Sequence, residues 1–188
     1  MKLRHNQPAL LLIDVQKGFL DENYWGGSRN NKQAEQVCGI LLDTWRALNL
    51  PVFHIQHSSS VTTSKLHKSN PGFAFNDVVT PLPNEPIITK QVNSAFIGTN
   101  LKAQLDTLKI NTLVIVGLTT NHCVSTTARM AGNFGFKTYV VSDATAAFNR
   151  LGINGESYDA ELIHLTALAN LNEEFATVCT SAELLEFL

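Results

Sequence analysis

Leu113-Val-Ile-Val-Gly-Leu-Thr-Thr-Asn-His-Cys123-Val-Ser-Thr-Thr-Ala-Arg-Met-Ala131 is the stretch on which the reading of this chain turns. An apolar run reaches Gly117, a short polar turn follows, and Cys123 opens a pattern that puts Val124, Thr127, Ala128 and Ala131 on one helical face. That is a buried strand feeding a helix through a tight turn. A thiol in the first turn of a helix faces unpaired N–H groups and the positive end of the helix dipole, and both favour the nucleophilic thiolate. Cys38 and Cys179 differ. They sit inside apolar helical and strand patterns and read as small core residues.

Outward from this stretch, short apolar runs alternate with helix-length segments. Strands are expected over 8–13, 52–55, 87–89, 113–116, 137–141 and 175–178, and helices over 32–48, 99–108, 123–134, 160–171 and 181–188. Residues 58–86 are polar and Pro-rich and read as a long irregular loop. Strands alternating with helices predict an α/β fold whose parallel sheet is covered on both faces. Ligands of such sheets bind beyond the carboxyl ends of the strands, where the strand order reverses. Three polar elements stand at such ends: Asp14 after the first strand, Lys90 after the third, and the turn carrying Cys123 after the fourth.

Bulk properties narrow the function classes. The chain has 188 residues, 44% hydrophobic and 16% charged, with a net charge of −2 and no basic run. One domain over 1–188 is expected, with enough core to need no disulfide or metal staple. The charge balance argues against nucleic acid and membrane surfaces as partners. Three widely spaced cysteines make no disulfide framework. The N-terminus lacks a signal-peptide apolar region, and no apolar stretch is of membrane-spanning length, so a cytoplasmic location is expected. No Gly-x-Gly-x-x-Gly follows the first strand, which disfavours a dinucleotide cofactor.

Four segments in order carry a family resemblance: Leu11-Leu-Ile-Asp-Val-Gln-Lys-Gly-Phe19, Ile88-Thr-Lys-Gln-Val-Asn-Ser-Ala-Phe-Ile-Gly-Thr99, Gly117-Leu-Thr-Thr-Asn-His-Cys-Val124 with Thr127-Ala128, and Asp143-Ala144. The chain resembles the isochorismatase-like cysteine hydrolases from Ala9 to about Val178. The resemblance implies a three-layer α/β/α, Rossmann-like fold with a six-stranded parallel sheet. It implies a catalytic Asp14, Lys90 and Cys123, a non-proline cis peptide at Leu118–Thr119, and an oxyanion hole made by the Thr119 and Cys123 N–H groups. It also implies a homodimer or larger homo-oligomer with a small-molecule substrate, and no cofactor is expected. The activity implied is cleavage of a C–N bond in a small amide, ureido or carbamoyl compound through a thioester. Isochorismatase-type vinyl-ether hydrolysis, which needs Asp14 but no thiol, and a non-enzymatic binding protein on the same fold stand as alternatives.

Around this core, several residues are candidates with structural alternatives. Phe19, Tyr24 and Trp25 follow the first strand closely and are placed to cover a small flat substrate, or else to pack a loop or subunit interface. Asn93 and Phe96 follow Lys90, and His122 precedes the nucleophile; all three are pocket candidates. Gln16 is expected to hold its loop, Asp143 to act as a turn or cap residue, and Arg129 to form an ion pair. Nicotinamidase branches of the family place a metal-binding Asp and histidines after the second strand. Here that stretch is His54-Ile-Gln-His-Ser-Ser, and Gln56, a poor ligand, stands where the Asp is expected. His54, His57 and His67 fit no firm ligand spacing, so no metal is assigned.

Overall fold

The computed structural model describes residues 3–188; Met1 and Lys2, part of the N-terminal stretch read above for a leader, lie outside them. In chain order the elements are β1 (Ala9–Ile13), α1 (Glu22–Trp25), α2 (Ala34–Ala47), β2 (Val52–His57), β3 (Ile87–Lys90), α3 (Leu101–Thr107), β4 (Thr112–Leu118), a π-helical turn (Thr120–Val124), α4 (Ser125–Asn133), β5 (Lys137–Ala146), β6 (Arg150–Leu151), β7 (Ser157–Tyr158), α5 (Ala160–Ala169), β8 (Thr177–Cys179) and α6 (Ser181–Phe187).

β3, β2, β1, β4, β5 and β8 form one six-stranded sheet in that order, and every pairing is parallel. The pleat sorts the side chains. Ala9, Leu11 and Ile13 of β1 join Leu113 and Ile115 of β4 in a core shared with α3, α4 and α5. Leu10 and Leu12 join Val114 and Val116 in a second core under α2 and α6. Both faces of each central strand are therefore dry, and the two layers of helices cover the sheet. Trp45 of α2 is fully buried and donates its indole N–H to the Pro8 carbonyl at 2.8 Å, which fixes the helix against the start of β1.

The order reverses between β1 and β4, which run in register with Ile13 beside Gly117. Gly117 has φ +112, and a Cβ there would lie 2.0 Å from the Ile13 carbonyl oxygen. Only glycine allows the two strands to approach this closely at the reversal. Asp14 and the Cys123 turn leave the sheet from this seam.

The structure extends several expected elements. β2 runs two residues further, to His57, and β5 runs to Ala146 instead of stopping before Asp143. The last sheet strand is Thr177–Cys179, shifted from the expected 175–178. The loop between β2 and β3 contains short 3₁₀ turns at Pro71–Phe73 and Asp77–Val79. The β6–β7 hairpin and the short helix α1 had no clear signature in the sequence. No described helix is long and apolar enough to cross a membrane.

Candidate active site

Asp14 comes first after β1. Its backbone takes a left-handed φ of +51, its N–H donates to the Ile55 carbonyl at 3.0 Å, and its side chain is wholly buried. β3 runs beside β2 with Lys90 paired to His57, so the last residues of two neighbouring strands stand side by side. β4 delivers the Leu118–Thr119 peptide bond, which is cis, and then the π-helical turn that holds Cys123. Cys123 therefore sits in a wide turn ahead of α4, not in the first turn of the α-helix itself.

These elements converge on the Lys90 ammonium. Its Nζ lies 2.7 Å from Asp14 Oδ2, 3.2 Å from Cys123 Sγ and 3.1 Å from His57 Nδ1. The ion pair is completely buried on both sides. The other carboxylate oxygen, Asp14 Oδ1, is buried and has no hydrogen-bond partner among the described residues. Asn93 Oδ1 lies 3.8 Å from the sulfur. The surroundings of the sulfur act against the expected thiolate. Burial pushes the Cys123 thiol up, the neighbouring Asp14 carboxylate adds to this, and Lys90 offsets only part of it. Burial in a site of low polarity disfavours the charged form of the sulfur.

A cavity of about 270 Å³ opens above the sulfur. Its floor is Asp14, His57, Asn93 and Cys123. One wall is apolar: Phe19, Trp25, Leu66 and Phe148, with Phe19 and Trp25 rings 4.7 Å apart and the Trp25 indole held by the Gly18 carbonyl at 2.8 Å. The rest of the lining is polar: Thr119, Asn121, His122 and Arg150. His122 Nδ1 bonds Thr119 Oγ1 at 3.2 Å, and burial, with Arg150 nearby, lowers its pKa, so it is a neutral partner. The Thr119 N–H makes no hydrogen bond among the described residues. Arg150 has no carboxylate within salt-bridge distance among the described residues.

Most sequence-derived candidates meet here: Asp14, Lys90, Cys123, Thr119, Phe19, Trp25, Asn93 and His122. Two do not line the cavity. Tyr24 is 46% exposed and leans edge-on against the outer side of Trp25. Phe96 is a core residue packed against Phe134 and Phe136. Arg129 forms no ion pair among the described residues; its guanidinium lies 4.6 Å from the Phe175 ring. Gln16 holds its loop as read, accepting from the His57 N–H and donating to the His57 and Phe73 carbonyls. Leu66, Asn121, Phe148 and Arg150 went unnoticed in the sequence. Phe148 and Arg150 reach the cavity only because β5 overruns its apolar core, and no local pattern announces that.

The histidines do not converge into a metal site of the nicotinamidase kind. Alternation along β2 turns His57 toward the α3 and α4 face while His54 and Gln56 face the other way. His54 is spent on Glu85 at 2.8 Å, and Gln56 donates to the Phe73 carbonyl at 3.0 Å. His67 bonds Ser69 Oγ on an exposed loop. Donor atoms of Asp14, His57 and Cys123 do lie within 4.8 Å of one another, but the Lys90 ammonium already bonds all three. A metal ion there would stand against the fixed positive charge of that ammonium, which opposes its binding.

With this geometry in place, comparison decides the family. A family model described as the isochorismatase domain matches residues 8–183. The chain belongs to the isochorismatase family. The isochorismatase family protein YrdC of Bacillus subtilis is 51% identical over 94% of this chain and 94% of its own length. A crystal structure of an isochorismatase-family protein from Chromobacterium violaceum superposes with a TM-score of 0.94 at 42% identity, covering 100% of this chain and 96% of the other. Nicotinamidase 3 of Arabidopsis thaliana is 27% identical, covering 84% of this chain and 79% of its own. This isochorismatase-family chain is thus a member of a hydrolase family whose fold it shares over its full length.

Proposed function

We propose that this protein is a cysteine-dependent amidohydrolase that cleaves the C–N bond of a small amide, ureido or carbamoyl compound. One observation carries the reading: the buried Cys123 sulfur lies beside an Asp14 carboxylate whose Oδ1 has no hydrogen-bond partner among the described residues, while Lys90 bonds both groups. A thiol that stays protonated at rest needs a base within reach, and an unpartnered carboxylate oxygen is one.

In this mechanism Asp14 Oδ1 takes the thiol proton as Sγ attacks the carbonyl carbon. Lys90 balances the charge that passes from carboxylate to sulfur. The Thr119 and Cys123 N–H groups receive the oxyanion of the tetrahedral intermediate. Asp14 returns the proton to the departing nitrogen, the C–N bond breaks, and a thioester remains. Asp14 then takes a proton from water as the water attacks the thioester, the C–S bond breaks, Asp14 returns that proton to Sγ, and the carboxylic or carbamic acid leaves. The cavity supplies a second constraint. Asp14 and Lys90 cancel, so Arg150 is the uncompensated charge on a lining that also carries Phe19, Trp25 and Phe148. A compact acyl group ending in a carboxylate fits that arrangement.

Ammonia release from a panel of small amides, including nicotinamide, N-carbamoyl amino acids, ureidoacrylate-like acids and biuret, tests the reading. Wild type is measured beside Cys123→Ala, with and without chelator. Release by wild type alone, strongest with the acidic compounds, is expected. No release from any amide, with hydrolysis of isochorismate that survives Cys123→Ala but not Asp14→Asn, would instead assign the vinyl-ether type of chemistry.

A further inference from the structure

The mechanism leaves two imidazoles at the site unused, His57 and His122, and of these His57 is the one that touches the Lys90 ammonium. It lies at the end of β2, lines the cavity, and directs Nδ1 at the Lys90 ammonium at 3.1 Å. An ammonium has three N–H donors and no acceptor. At Lys90 the three are matched by Asp14 Oδ2, Cys123 Sγ and His57 Nδ1. The match settles the imidazole: Nδ1 carries the lone pair and the ring proton is on Nε2, which has no protein partner among the described residues. The backbone of His57 is held as well, since Gln16 bonds both its N–H and its carbonyl.

We propose that His57 is a positioning residue of the active site, whose Nδ1 lone pair fixes the rotation of the Lys90 ammonium so that one N–H is aimed at the Cys123 sulfur. This rests on the reading of Cys123 as the nucleophile but not on any particular substrate. Without an acceptor at position 57, the third N–H has no partner in a dry site, and the ammonium rotates to crowd Asp14. Its bond to the sulfur is then lost, and with it the charge that supports the thiolate. Protonation of His57 has the same effect, because an N–H then opposes an N–H and two cations meet. The charged and titratable groups facing the ring are Lys90 from β3, Asp14 from the end of β1 and Cys123 from the turn before α4. Burial first, then the Lys90 charge, already lowers the His57 pKa, against a smaller opposite pull from Asp14.

Alkylation of Cys123 by iodoacetamide, quantified by mass spectrometry at that residue between pH 5 and 8, tests this without a substrate. Asparagine places an amide oxygen close to the position of Nδ1 and does not titrate; leucine supplies no acceptor. His57→Leu is expected to slow alkylation by roughly tenfold to a hundredfold, the ratio that one hydrogen bond to a charged group carries. His57→Asn is expected to recover most of that loss, and its rate should fall less steeply than wild type below the imidazole range. A folded His57→Leu variant that alkylates at the wild-type rate overturns the proposal. So do superimposable pH profiles for wild type and His57→Asn, a comparison that holds even if the leucine variant does not fold. Failure of the amide panel with these rate differences intact would sink the proposed reaction and leave the positioning role standing.

Discussion

Asp14 acts on Cys123 in two opposed ways. As a neighbouring anion it keeps the proton on the sulfur, and as a base it removes that proton during reaction. Asp14→Asn separates the two. With the anion gone and Lys90 still beside the sulfur, the thiol pKa falls and iodoacetamide modifies Cys123 faster than in wild type, while amide turnover is lost. A slower alkylation in Asp14→Asn would contradict this account of the thiol. The positions of Asp14, Lys90 and Cys123 were legible because each follows an apolar run that ends at one rim of the sheet. The charge state of the sulfur was not, since it depends on residues distant in sequence that make the site dry. The difference between Tyr24 and Trp25 was equally hidden. Adjacent residues on a short helix point about 100° apart, and only the packing against Phe19 shows which one turns inward.

Strand ends decide the site, and two substitutions probe them. Gly117→Ala would place a methyl group against the Ile13 carbonyl and force the β1–β4 seam apart. A loss of about 2–4 kcal/mol in urea unfolding is expected, together with impaired Cys123 chemistry, because Asp14 follows Ile13 directly. Asp143 belongs to a different role. Its carboxylate accepts from the Ser181 N–H at 2.7 Å and the Ser181 hydroxyl at 2.6 Å, tying β5 to the start of α6. Asp143→Ala should cost about 1–2 kcal/mol of stability and leave turnover per folded molecule unchanged. The same bonds explain why the sequence ended β5 early. Ser142 and Asp143 read as a polar break, yet Ser142 bonds the Cys179 carbonyl and Asp143 bonds α6, so the strand continues to Ala146. Polar residues look like a turn until their partners, which lie almost 40 positions later, are known.

Across the whole molecule, burial lowers the pKa of four imidazoles: His54, His57, His122 and His164. A base whose pKa is lowered on folding binds more protons when unfolded. Stability therefore falls as the pH drops below the ordinary value of 6.5. Glu85 adds a second window. Burial acts upward on it, but Arg46, the Leu82 N–H and His54 outweigh this and bring it down to about 2 from 4.5, so its contribution is lost between those values. Urea unfolding followed from pH 7.5 to 4 should show a decline that begins near 6.5 and steepens below 4.5. A flat profile between 7 and 5 would mean that the buried histidines are charged in the folded state.

The alternation of strands and helices made the layered sheet legible from the sequence, but the reversal of strand order at the β1–β4 seam was visible only as a rule about such sheets. That reversal has a consequence for how the chain is made. On the ribosome β1, β2 and β3 can pair as soon as residue 90 has emerged, whereas the other flank of β1 must wait for β4. Until then Ala9–Ile13, an uncharged apolar strand, presents an open edge of the kind that recruits other chains. A nascent or truncated chain ending before β4 should therefore be the aggregation-prone species of this protein. The same strand that ends in the candidate base is the one whose exposure is most hazardous during synthesis.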